Sequence, residues 1–167
     1  MKQVAVIIGL FCFSFVCKAQ VTKGGNTYAN VAYIVDGVSA QKETIKPQDV
    51  FSKDVLTGRQ LTAIYDNKGL DTLTIVVTKK GAIRYYQNKL SAFSREYESY
   101  LKSNNNNDSD IHYVVHGESI ESKGDERIDA LYKIPPEKII AVTFTESSRA
   151  NGNGTNKVVL IETKIGE

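Results

Sequence analysis

His112 and His116 lie four residues apart in the run Ile111-His112-Tyr113-Val114-Val115-His116-Gly117. If that run is one β-strand, side chains four apart share a face, so both imidazoles point the same way. Asp110, just upstream, could supply a third ligand, and three such groups can hold an ion of the zinc type. The pair has no cysteine partners and lacks the helical His-Glu-x-x-His spacing, and two histidines on a strand beside a polar loop are more often simply solvated. The loop itself, Asn104 to Asp110, alternates Asp108 and Asp110 in a manner that suits calcium. It lacks the central glycine and closing glutamate of an EF-hand. There is no Gly-x-Ser-x-Gly elbow and no phosphate-binding lysine loop, and Gly152-Asn153-Gly154 is short enough to be a plain turn. The residues therefore suggest no catalytic set and no cofactor. The nine tyrosines, Tyr85, Tyr86, Tyr97 and Tyr100 among them, divide between a binding face and the core.

The elements that would carry these residues occur twice. The first copy reads Tyr33-Ile34-Val35-Asp36-Gly37, then Ile45 to Val50 around Pro47, then Asp54-Val55-Leu56, and closes on Leu73 to Lys79. The second reads Tyr113-Val114-Val115-His116-Gly117, then Ile134 to Ile139 around Pro136, then Val142-Thr143-Phe144, and closes on Val158 to Lys164. Each Tyr-to-Gly block is a short β-rich run ended by a glycine that can take the positive φ of a tight turn. The blocks around Pro47 and Pro136 place proline and an acidic residue at the start of a helical turn, where the missing N–H is no loss. The β-branched runs have strand length and suit a sheet interior. Asp36 and His116 occupy the same place before the turn glycine, which reads as a position under weak structural demand. The first copy adds a helix with Leu61, Ile64 and Tyr65 on one side and Gly69 as terminator; the second has the loop Ser147 to Gly154 there.

Between the copies, Ile83, Tyr86, Leu90, Phe93, Tyr97 and Leu101 step by three or four, which predicts one amphipathic helix of about five turns. The expected fold class is therefore α/β (α+β): a small mixed sheet with helices packed on it, two degenerate βαβ repeats joined by that helix. The expected organisation is a leader at 1–19, a first repeat at 20–81, the connecting helix and asparagine-rich loop at 82–110, and a second repeat at 111–167, forming one compact domain.

The leader reading rests on Lys2, an apolar run from Val4 to Val16, and small residues before Gln20. That pattern is a secretory signal peptide, too short to remain as a bilayer-spanning helix. A lipoprotein signal cut before Cys17 is the rival, with Val16 where a small residue usually stands. Removing the first 19 of 167 residues leaves 148 and takes both cysteines, Cys12 and Cys17, so no disulfide or thiolate chemistry would remain. Lys2 and Lys18 leave with it, which balances 19 basic against 19 acidic residues. A neutral chain does not suit nucleic acid or an anionic membrane. No second apolar run is long enough for an integral membrane segment after cleavage.

The first copy resembles the end of the plug domain of TonB-dependent outer-membrane receptors, of the glycan-importer type. Such plugs carry V-D-G, P-x-D-I, E-V-L and A-I-Y-G blocks and a closing strand that ends in T-K-K-G. Here the matching residues are Val35-Asp36-Gly37, Pro47 to Val50, Asp54-Val55-Leu56, Ala63-Ile64-Tyr65-Asp66 and the run from Gly69 to Gly81. The second copy is a weaker version, carried by Pro136 to Ile139 and Gly154 to Lys164. The resemblance implies a plug-like fold and a Gram-negative envelope setting, but the 167 residues hold no barrel, so transport is not implied. The expectation is an exported, non-catalytic, stand-alone plug-like protein, periplasmic, outer-membrane-associated or secreted. It would bind an envelope protein partner or another copy of itself, in connection with outer-membrane receptors or glycan uptake. The alternative is a periplasmic protein that binds a small ligand or metal near His112 and His116.

Overall fold

The computed structural model describes residues 31–40, 45–58, 60–61, 70–121, 123–148 and 155–164. The leader lies outside them, as do Ile64, Tyr65 and Gly69 of the helix expected in the first copy; Gln60 and Leu61 are helical, and Leu61 is 2% exposed.

The β-branched runs form strands, and they form two sheets rather than one. In the first unit β1 (Val31–Val35) turns back into β2 (Val38–Ala40) and lies parallel to β4 (Thr72–Thr78). Antiparallel β3 (Val50–Thr57) closes the other side of β4, giving the order β2-β1-β4-β3. The second unit repeats this with β5 (Ile111–Val115), β6 (Glu118–Ser119), β7 (Ile139–Ser148) and β8 (Thr155–Thr163), in the order β6-β5-β8-β7. Tyr33 sits opposite Thr74 as Tyr113 sits opposite Val159, and Val35 opposite Val76 as Val115 opposite Ile161. One-turn 3-10 helices at Pro47–Asp49 and Pro136–Lys138 lead into β3 and β7. Both strands then bulge at the same step, between Val50 and Ser52 and between Ile139 and Ala141. The fold is α+β, with each unit a mixed four-stranded sheet.

The pairing corrects one alignment. Counted from the proline turns, Asp54 is the counterpart of Thr143, because Asp54 opposes Ile75 and Thr143 opposes Leu160. Aligned as sequence blocks, Asp54 falls against Val142. A slip of one residue moves every side chain to the other face, so only the pairing could decide it.

The predicted long helix is two helices, α1 (Lys79–Ser91) and α2 (Arg95–Ser103). Ser94 breaks the run: its backbone is extended and its hydroxyl accepts from the Tyr97 N–H at 3.3 Å, capping α2 afresh. The break leaves Phe93, a member of the predicted stripe, 42% exposed at the corner. It also lets Tyr97 and Tyr100 turn down onto Phe144 of β7. A third helix, α3 (Asp125–Tyr132), follows Gly124 with Asp125 and Glu126 in its first turn. Its helical signal in the sequence is weak, since Ile128 and Leu131 are its buried residues.

Helices α1, α2 and α3 cover one side of the second sheet. Ala82, Tyr86 and Leu90 of α1, Tyr97, Tyr100 and Leu101 of α2, and Ile128 and Leu131 of α3 meet Ile111, Tyr113, Val142, Val159 and Ile161 in one buried cluster. Each fully buried aliphatic side chain contributes about 1.5–3 kcal/mol. Phe51 and Val77 of the first unit pack on the same cluster, Phe51 edge-on to Tyr132 at 5.2 Å. Lys89 locks α1 to α3: its ammonium donates to the carbonyls of Leu131, Tyr132 and Ile134 at 2.9, 3.1 and 2.7 Å. The Leu131 and Tyr132 carbonyls end α3 and that of Ile134 follows just beyond it, so the lysine acts as a cap from outside.

Candidate partner-binding surface

Asp36 and Gly37 have φ of 50° and 83°, and His116 and Gly117 have 53° and 82°. Two successive positive φ values make the tight hairpin turn that matches strand twist, and Asp and His tolerate the first position better than most residues. The backbone N–H of Asp36 donates to Val76 O at 3.0 Å, and that of His116 to Ile161 O at 3.1 Å. The side chains then reach equivalent threonines. Asp36 Oδ1 accepts from the Thr78 N–H at 2.8 Å and Oδ2 from the Thr78 hydroxyl at 2.7 Å. His116 Nε2 is hydrogen-bonded to the Thr163 hydroxyl. The position before glycine is thus a latch from hairpin to neighbouring strand in both units, not a place of weak demand. In the first unit the latch continues into α1, where Thr78 is the N-cap and its hydroxyl accepts from the Gly81 N–H at 2.9 Å.

The three candidate metal ligands are held apart in this geometry. Only His112 belongs to β5; His116 is in the turn beyond its end, so the shared-face argument does not apply. His112 Nε2 is 2.7 Å from the Ser119 hydroxyl. Asp110 accepts from the Tyr100 hydroxyl at 2.6 Å and pairs with Lys157, and the Lys157 bond followed by the Tyr100 bond holds its carboxyl below the usual range. Among the described residues, no three His, Cys, Asp or Glu side chains form a group that could hold a metal ion.

Asp108, its twin in the loop, goes the other way. It is 5% exposed and its Oδ2 accepts from the hydroxyls of Tyr86 at 2.7 Å and Tyr113 at 2.6 Å. Tyr97 joins through Tyr113 at 2.8 Å, and the Arg127 guanidinium stands 3.7 Å from Oδ1. Burial raises the pKa of all three tyrosines, and the Asp108 charge adds to it. The network ties the asparagine-rich loop to the core, and its members are too far apart in sequence to announce it.

One surface that stands open among the described residues is the outer side of the second sheet. Register places Val114 beside Leu160 and Leu160 beside Thr143, with His112, Val158 and Thr145 in the next row. Leu160 is 40% exposed although β8 is an inner strand, while its neighbours Val159 and Ile161 on the helix-covered side are at 0% and 1%. In the first unit the same side carries Leu73, at 2%, where the second has half-buried Val158, and half-buried Ile75 where the second has Leu160. Exposed His112, Ser119, Thr143 and Thr145 ring the apolar centre. An apolar centre with a polar rim is the anatomy of a protein-binding patch. The sequence hint was the run Val158 to Ile161, apolar on both faces as in strands covered on both sides.

No helix among the described residues is long and apolar enough to cross a membrane. Comparison with family models, curated proteins and solved structures finds no match. The likeness to receptor plugs therefore rests on the sequence blocks that carry it.

Proposed function

We propose that this is an exported, non-catalytic protein that binds a protein partner of the cell envelope through the outer face of its second sheet. The observation that carries the reading is exposed Leu160, flanked by half-buried Val114 and Val158, on a side that is buried at Leu73, the first unit's match of Val158. The envelope setting follows from the leader read at residues 1–19 and from the resemblance to receptor plugs, which points to outer-membrane receptor or glycan-uptake machinery as the partner's context.

The test is made in an exporting Gram-negative cell, with the protein expressed behind its own leader. A photo-crosslinking residue at position 160 is expected to give a discrete adduct in the outer-membrane fraction, and one at exposed Lys102 on α2 none. Leu160→Asp is expected to move the protein from the membrane fraction to the soluble periplasm while its circular dichroism stays unchanged. Equal fractionation of the wild type and Leu160→Asp would end the reading.

A further inference from the structure

The two units differ at their outer edges as well as on their faces. β3 and β7 are homologous edge strands, each paired on one side with β4 or β8 and with no other strand neighbour among the described residues. An edge strand presents unpaired N–H and C=O groups that invite another strand, and proteins commonly blunt it with charges. β3 is blunted: Lys53 and Asp54 stand exposed at its middle. Their counterparts in β7 are Val142 and Thr143, and Glu146 is the one charged residue of that strand. β7 is also longer, at 10 residues against 8, and its register with β8 is unbroken from Ala141 to Ser148.

We propose that β7 is a homodimerisation edge, pairing antiparallel with β7 of a second copy. The strand is self-complementary about Thr143. That register sets Val142 against Phe144 on the helix-covered side and Ala141 against Thr145 on the open side, and it sets Glu146 against Ile140 rather than against its own copy. Like charges directly opposite are thereby avoided, and threonines meet at the dyad, which favours pairing. In that register the unbroken stretch overlaps itself from Ala141 to Thr145, which offers roughly four to six inter-chain backbone hydrogen bonds, because alternate residues point theirs outward. The two sheets would join into one, with both open faces on the same side of it. The inference goes beyond the envelope-partner reading and uses the backbone edge of the sheet, with Thr143 and Thr145 shared between that edge and the rim of the open face.

Sedimentation equilibrium of the purified protein over a concentration series tests it. A reversible monomer–dimer equilibrium is expected. Thr143→Lys places two lysines at the dyad and is expected to weaken the dimer at least about tenfold, which is about 1.4 kcal/mol. The variant will fold, since the first unit already carries a charge at this position in Asp54, and an unchanged circular dichroism spectrum checks that. Thr57→Lys, which adds the same charge to the first sheet's edge, is expected to leave the dimer intact. A monomer at every concentration, a dimer indifferent to Thr143→Lys, or equal weakening by Thr57→Lys would each overturn the proposal. A monomer that still gives the residue-160 adduct sinks the dimer and leaves the partner reading in place; a dimer with no adduct does the reverse.

Discussion

Gly81→Ala gives the sharpest test of the hairpin latch, because two physical rules predict opposite signs for it. Gly81 lies in the first turn of α1, where helix propensity alone makes alanine more stable by about 1 kcal/mol. A Cβ at Gly81, however, would stand 2.0 Å from Asp36 Oδ1 and 2.3 Å from its Cγ. The carboxylate is not free to swing away, since its two oxygens are bonded to the Thr78 N–H and hydroxyl at 2.8 and 2.7 Å. Making room means giving up at least one hydrogen bond to a charged group, about 1.5–3 kcal/mol, on top of about 1–3 kcal/mol of overpacking strain. The expected net loss is about 1.5–5 kcal/mol after the propensity gain is set against it. In an Asp36→Gly background the obstacle is gone and glycine suits the φ of 50°. There Gly81→Ala should stabilise by about 1 kcal/mol. Urea unfolding of the four proteins, followed by far-UV circular dichroism, is expected to give a coupling of about 2.5–6 kcal/mol, far above the few tenths expected of independent sites. A Gly81→Ala protein more stable than the wild type, or two substitutions that simply add, would refute the close approach of Asp36 to α1.

Two further outcomes follow from the core and from the α1–α3 lock. Asp108→Ala strands two buried tyrosine hydroxyls and the Arg127 guanidinium, so urea unfolding should show a loss of about 3–5 kcal/mol, whereas exposed Asp110→Ala should cost under about 1 kcal/mol; equal losses would contradict the network. Burial lowers the Lys89 ammonium to about 8 from 10.5, against a smaller upward pull from Glu137. The unfolded chain then holds more protons than the folded one between those values, so this group's contribution rises with pH, by about 2 kcal/mol from about pH 7.5 to 9.5. Lys89→Met should lack that rise in a stability–pH profile. Tyr86, Tyr97 and Tyr113 act in the other direction: their raised pKa values mean stability is lost as pH climbs past the unfolded tyrosine value near 10. The measurement therefore stops short of that pH, and parallel profiles for wild type and Lys89→Met would overturn the Lys89 assignment.

The sequence by itself determined what local chemistry decides. Asp36-Gly37 and His116-Gly117 can close a tight hairpin because those residue types tolerate positive φ. Pro47 and Pro136 can start a turn because an N–H is not needed there, and the β-branched runs at Thr72–Thr78 and Thr155–Thr163 had to be strands. Since both copies kept these signals in one order, the duplicated architecture was legible. Tertiary structure decided whatever depends on which residues meet. The stripe from Ile83 to Leu101 fits one helix, yet the cap at Ser94 and the pull of Phe144 on Tyr97 and Tyr100 divide it. Asp108 and Asp110 look alike in the loop, but one enters the core to meet Tyr86 and Tyr113 while the other stays at the surface with Lys157. His112 and His116 look paired, but the strand ends between them. Val158 to Ile161 is apolar throughout, and periodicity cannot say that helices cover only one of its sides. Burial and partnership are properties of long-range contact, and the open face and bare edge of the second sheet emerge only when its twin is laid beside it.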